Sequence, residues 1–167
     1  MLGIVAERVG EGFAVDIRGP CHAQLHETAF EGATKRNKPA IATGDVIYCR
    51  VTEAHRDLEP EVACVDEAGR AAGFGLLRGG TIVAISTGLA RRLLSNPPFP
   101  PLVALGERTR FEIAVGLNGR VWIGAPSPGA VAAVSQLLGA AGELSDAAGC
   151  DLARALIEIL RRDDDDT

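Results

Sequence analysis

Two modules are predicted for this chain, a small all-β barrel over residues 1–70 and an α+β domain over residues 71–167. Three observations predict them: short β-branched runs at close spacing up to about residue 66, a junction of small residues over 66–75, and a change from period two to mixed periodicity beyond it. A chain of 167 residues with 47% hydrophobic residues can bury one ordinary core or two small ones.

The barrel elements come in order. GIVAERV (3–9), GFAVDIR (12–18), AQLHETAF (23–30), DVIYCRV (45–51) and EVACV (61–65) read as strands set between glycine and polar turns. Gly10 and Gly12 turn the first hairpin, and Gly44-Asp45 introduces the fourth strand. Five short strands suit a closed barrel, which leaves no exposed sheet edge, and the OB-fold is the common five-stranded solution.

The second module begins after the junction DEAGRAAGFG (66–75). TIVAIS (81–86) reads as a strand and TGLARRLLS (87–95) as a helix with Leu89, Leu93 and Leu94 on one face; four prolines in SNPPFPP (95–101) then argue against regular structure. RFEIAVGLNGRVWIG (110–124) alternates on both sides of Asn118-Gly119, a dipeptide preferred in type I′ hairpin turns. Two helices follow. One carries Val131, Val134, Leu137 and Leu138 on a stripe, the other Leu152, Leu156, Ile159 and Leu160, with Ser145 as its N-cap and Arg161 and Arg162 at its negative end. The run Asp163 to Asp166 reads as a solvated acidic tail.

No apolar run reaches the roughly 18 residues of a spanning helix, and no leader precedes a cleavage site, so no membrane partner and a cytoplasmic or nuclear address are expected. Cys21, Cys49, Cys64 and Cys150 lack both the paired spacing of zinc ligands and the density of a disulfide scaffold, and read as small buried hydrophobes. Cys21, His22 and His26 lie close together but find no matching ligands downstream, so no metal and no cofactor is expected. Asp16, Asp45 and Asp66 are the only regularly placed acids, and turn chemistry at strand ends explains them better than catalysis does. With no nucleophile, base and orienter gathered in a motif, the chain does not read as an enzyme.

A net charge of −5 argues against a general nucleic-acid binder, because phosphate contacts supply most of the affinity of such proteins. Its distribution softens that. Residues 1–70 hold eight basic and twelve acidic side chains, yet Lys35, Arg36 and Lys38 cluster among them. Residues 71–162 carry a balance of +3. A basic loop on an acidic body suggests dependence on partners.

The stretches FEGATKRNKP (30–39), GDVIYCRV (44–51), LEPEVACVDEAGRAAGFG (58–75) and VGLNGRVWI (115–123) occur in order along the chain. Together they resemble the cap subunits of the eukaryotic RNA exosome of the ribosomal RNA-processing protein 40 (exosome component 3) family. The resemblance implies an S1-type OB-fold followed by a KH-like domain, and a non-catalytic subunit that guides single-stranded RNA into an exonuclease complex. It implies as partners single-stranded RNA, RNase PH-like ring subunits and other cap subunits, and as locations the nucleus, nucleolus and cytoplasm. Family members carry a further N-terminal β-rich domain, and here the chain begins at the first barrel strand. The paralogous S1/KH subunit ribosomal RNA-processing protein 4 and an unrelated OB-fold hydrolase are the alternatives; FEGATKRN and GLNG favour the first reading.

Candidate RNA contacts follow. OB-folds bind single strands by stacking bases on aromatics in a basic groove. By the match to S1 strands, Phe13 is the stacking platform and His26 lies on the same face, with packing in the barrel and an ordinary surface histidine as the alternatives. Lys35, Arg36 and Lys38 can clamp phosphates or meet acids on a partner, and Arg50 can extend that face or pair with a nearby acid. The glycine loop by which KH domains approach phosphates is replaced by SNPPFPP, and Gly116, Leu117, Asn118 and Gly119 fall between strands, so GLNG reads as a structural turn. Trp122 reads as core or interdomain packing.

Overall fold

A computed structural model describes residues 1–165. It holds two compact units, Met1–Arg78 and a second from Gly79 onward.

The first unit contains β1 (Leu2–Val9), β2 (Gly12–Asp16), β3 (Ala23–Phe30), β4 (Val46–Tyr48), β5 (Arg50–Glu53), β6 (Glu61–Cys64) and β7 (Gly75–Leu77). They form one sheet in the order β5-β6-β3-β2-β1-β4-β7. β4 and β5 lie far apart in that order yet are parted in the chain by Cys49 alone. They are therefore one bent strand, and the sheet returns on itself. The pairs β1–β2, β2–β3, β1–β4 and β5–β6 are antiparallel, whereas β3–β6 is parallel. Counting β4 and β5 as one strand leaves six, the five of the OB topology and β7 at the edge. Val5, Val15, Leu25, Ile47 and Val62 fill the interior with Phe13, Cys49 and Cys64. Fully burying one such aliphatic side chain stabilises the fold by about 1.5–3 kcal/mol.

β7 departs from expectation. Its residues lie past the point where the first module was expected to end, yet Leu77, Leu76 and Gly75 pair with Val46, Ile47 and Tyr48, and Phe74 stacks on Tyr48 with ring centroids 5.3 Å apart. The small-residue segment is thus a turn within the barrel unit: Asp66 accepts bonds from the amides of Ala68 and Arg70, which lets the chain double back.

The second unit has β8 (Thr81–Ala84), α1 (Thr87–Leu93), α2 (Pro100–Gly106), β9 (Glu112–Gly116), β10 (Arg120–Gly124), α3 (Pro128–Ala140) and α4 (Asp146–Asp165). The sheet order is β8-β10-β9, with both pairings antiparallel. Helices α2 and α3 both pack on α4. Leu105, Val121, Ile123, Val134, Leu137, Leu138, Ala153 and Leu156 form the core. Ser86, Ser127 and Ser145 each accept a bond from the amide three residues on, at Leu89, Ala130 and Ala148, satisfying donors that a helix start leaves open.

Four local expectations are corrected. SNPPFPP was expected to be irregular throughout, but Pro100 and Pro101 open α2, where a missing N–H is harmless and the fixed φ suits the helix. The GLNG turn is not type I′, since among the described residues only Arg18 and Ala72 have positive φ besides glycines. Gly116 instead pairs with Arg120 across a three-residue loop, Gly119 alone takes φ +74°, and its amide donates to the Gly116 carbonyl over 3.1 Å. Two residues expected on apolar faces are exposed, Leu94 at the C-cap of α1 (50%) and Ile159 on α4 (52%), while Leu156 is buried as expected and Ala153 joins it in the core. The backbone of α4 continues through Asp165, past Arg162, so three of the four acids read as a tail are helical in backbone; Asp166 and Thr167 lie outside the described residues.

Trp122, expected as core or interdomain packing, is buried and contacts Gly79 and Gly80 of its own unit. Its indole N–H donates to the Gly79 carbonyl over 2.8 Å. A Cβ on Gly80, whose φ is +71°, would lie 2.8 Å from the ring and 2.3 Å from the Ile123 carbonyl oxygen. Only glycine fits there.

Candidate nucleic-acid interface

Strand alternation sets the first part of the site. Along β3, Ala23, Leu25 and Glu27 face inward while His26 and Thr28 face solvent. An acidic side chain therefore sits on the core side, and Glu27 is 5% exposed. A buried carboxylate without partners is costly, and this one has two. Arg8 of β1 donates to Oε1, and Lys38 places its Nζ 2.6 Å from Oε2. The Lys38 hydrogen bond first, then the charges of Lys38, Arg8 and His26, hold the Glu27 carboxyl below the usual glutamate range against the opposing effect of burial.

This arrangement decides the fate of two predicted contacts. Lys38, read as a phosphate clamp, is committed to Glu27. Phe13, read as a stacking platform, is 4% exposed within the barrel core, with the Arg8 guanidinium 5.9 Å from its ring centroid. A ring buried in that way offers no face to a base, so the packing alternative holds for Phe13.

Lys35 and Arg36 fare differently. Thr34 and Asn37 exchange backbone hydrogen bonds of 3.0 and 3.1 Å, the Asn37 amide also donates to the Thr34 hydroxyl, and the Asn37 side chain donates to the Gly32 carbonyl. Two cations are left at the tip of a closed turn, both exposed, and neither is ion-paired among the described residues. One residue further on, the Lys38–Glu27 pair ties the foot of the turn to the barrel. The loop thus presents a fixed double charge rather than a loose basic tract. His26 is exposed on the outer face of β3, opposite Gly12. Arg50 is turned to another task, its Nε–H donating to the Val65 carbonyl over 2.7 Å and bracing the end of β6.

Sequence reasoning missed Arg8 and Glu27. The signal was present in the inward parity of Glu27 with Leu25, which marks a buried carboxylate in need of cations.

Elsewhere the barrel surface is acidic. Glu53, Asp57, Glu59 and Glu61 line a hollow on the β5–β6 hairpin together with His55, a surface that repels phosphate. The three acids once weighed as catalytic serve turns: Asp16 accepts the Arg18 amide, Asp45 the Ala42 amide, and Asp66 those of Ala68 and Arg70. Among the described residues no three His, Cys, Asp or Glu side chains gather as a metal site. Cys49 and Cys64 are buried in the barrel, and burial pushes both thiols up, Cys49 to about 11. Cys21 and Cys150, expected to be buried like the other two, are exposed and half-buried respectively.

In the second unit the connection between α1 and α2 contains no glycine, and Pro97 and Pro98 within it carry no N–H. Phe99 is 5% exposed and packs with Leu89 and Ala141, the Arg92 guanidinium lies 4.9 Å from its ring centroid, and Arg92 is ion-paired with Asp146. A loop anchored this way cannot deliver backbone amides to a phosphate as a GXXG loop does. In GLNG, Leu117 is 53% exposed and Gly119 is buried, so the turn serves the β9–β10 hairpin.

An OB barrel with a basic turn, followed by a sheet-and-helix unit, defines a two-module protein of the S1–KH class. The S1 domain described as that of exosome complex component RRP40 matches residues 1–75, and a KH domain matches residues 80–129. A Dictyostelium discoideum protein described as an rrp40 exosome component is 50% identical over 127 residues, 76% of this chain and 53% of its own. The Saccharomyces cerevisiae and Homo sapiens exosome complex components RRP40 are 38% and 40% identical, each over 74% of this chain and over 52% and 45% of their own lengths. Across both domains the chain is similar to the RRP40 exosome components. It spans about half the length of the curated relatives it matches. A crystal structure of a protein described as an exosome complex RNA-binding protein shares the fold, with a TM-score of 0.71 at 23% identity over 96% of this chain and 90% of that one. An S1 and a KH domain fit a non-catalytic role.

Proposed function

We propose that this protein is a non-catalytic RNA-binding cap subunit of the RNA exosome, in which the Lys35–Arg36 turn holds the backbone of single-stranded RNA on its way into the exonuclease complex. One observation carries the proposal: a barrel of the RRP40 S1 type presents two adjacent cations on a hydrogen-bonded turn, with its foot tied to a buried carboxylate. Two fixed charges on an acidic body give weak binding alone. Useful affinity arises when several cap subunits line one path and the effective concentration of each site rises. The partners are therefore RNase PH-like ring subunits and other cap subunits, in the nucleus, its nucleolus and the cytoplasm. His26 is the remaining candidate for contact with a base.

The test is incubation of the purified protein with labelled single-stranded RNA in magnesium or manganese. Binding that leaves the RNA intact supports the proposal, and magnesium-dependent cleavage overturns it. Tagged protein recovered from its own cells should bring exosome ring subunits with it; their absence would sink the cap assignment.

A further inference from the structure

The second unit carries a basic hollow that the GXXG argument leaves unexplained. It is an open cavity of about 440 Å³, with Arg108, Thr109 and Arg110 of the α2–β9 connection on one side, Ser127 at the start of α3 on another, and Arg161 of α4 on the third. Leu160 contributes an apolar wall. Among the described residues no carboxylate lines the hollow. Elsewhere in the same unit arginines near acids pair with them, Arg92 with Asp146 and Arg154 with Asp151. Arg108, Arg110 and Arg161 are exposed, and among the described residues none of the three is ion-paired.

Three guanidinium groups brought from two elements around one concavity repel one another, and a cleft lined by a single sign of charge concentrates counter-ions. Guanidinium forks match phosphate oxygens in pairs. The Thr109 and Ser127 hydroxyls add neutral donors at the rim, and the first turn of α3 holds no acid to oppose an anion.

We infer that the Arg108–Arg110–Arg161 hollow is a phosphate site for the backbone of single-stranded RNA, displaced from the helix connection where KH domains place their glycine loop. The inference rests on the RNA-binding reading above. In this arrangement the second unit holds RNA by side-chain guanidinium groups in place of backbone amides, so it grips phosphate without reading sequence.

The experiment measures binding of a fluorescein-labelled oligouridylate to the full chain across a range of potassium chloride concentrations. The variants are R108Q/R110Q/R161Q, K35A/R36A, and R154Q as a control on an arginine engaged with Asp151. Loss of three phosphate contacts should lower the salt slope by about 2, at roughly 0.7 per contact for single strands, with the thermal midpoint and the R154Q slope unchanged. A slope lowered by K35A/R36A but not by the triple variant overturns this site and leaves the RNA reading standing. A wild-type chain that binds no RNA overturns both. Polyglutamate that binds the wild type but not the triple variant, with the RNA slope untouched, would assign the hollow to an acidic protein and refute the inference. Inorganic phosphate that binds there without competing with RNA would refute it too.

Discussion

Lys35, Arg36 and Lys38 look equivalent in sequence and are not equivalent in the fold, and their salt dependence should separate them. Each cation that neutralises one phosphate contributes about 0.7 to the slope of log K against log salt for single strands. K35A/R36A should therefore lower the slope by about 1.4, which means that a rise from 50 to 200 mM salt weakens the wild type about sevenfold more than the variant. K38A should change the slope little, because its ammonium sits 2.6 Å from a Glu27 oxygen and is already neutralised. Fluorescence anisotropy with a labelled oligouridylate at several salt concentrations reads all three slopes. If K38A alone lowered the slope by about as much as one full contact, the Lys38–Glu27 pair would not hold in solution and the anchored-turn argument would fail.

Glu27 makes a second prediction: with its folded pKa depressed by Lys38 and Arg8, its contribution to stability is fully present above the ordinary glutamate value of 4.5 and is lost as pH falls through the lower folded value. A carboxyl resonance of Glu27 titrating at or above 4.5 would contradict this, and E27Q should abolish that part of the acid dependence. Gly79 and Gly80 make a matched pair, since both have positive φ but only at Gly80 would an added Cβ meet Trp122 and Ile123. By denaturant unfolding, Gly79→Ala should cost about 1 kcal/mol and Gly80→Ala clearly more, and equal costs would refute the packing account. Gly119→Val should lower the melting temperature while exposed Leu117→Asp folds normally and keeps its RNA affinity; the reverse pattern would restore GLNG as a clamp. In thiol labelling followed by peptide mapping, exposed Cys21 should react first and buried Cys49 and Cys64 only on unfolding, whereas early labelling of Cys64 would argue against the barrel core.

The barrel strands were legible because their apolar residues follow the pleat and their turns carry glycine. β7 was not, since three residues behind a glycine-rich turn give no period to read, and only pairing with β4 makes them a strand. α2 was hidden by prolines that usually break helices and here begin one. The dipeptide Asn118-Gly119 pointed to a two-residue turn, but the loop length follows from the register of β9 on β10, which no local window contains. At the site, Lys35 and Arg36 could be found from charge clustering alone. Lys38 could not be separated from them, because the acid that claims it lies eleven residues earlier on the inner parity of another strand. Phe13 was misjudged because an aromatic beside a turn looks the same in sequence whether its ring faces solvent or the core.

The proline connection between α1 and α2 bears on how this unit can change over time. A glycine clamp works through peptide N–H groups, and in the run Ser95–Pro101 four of seven positions have none to offer. No single replacement restores such a clamp: Pro97 and Pro98 would both have to go, and Phe99 would have to leave the apolar cluster that holds it. Each intermediate would lose packing before gaining any grip. Descent from this sequence is therefore closed toward a backbone clamp and open toward exposed side chains, where one arginine can be gained or lost without disturbing the fold.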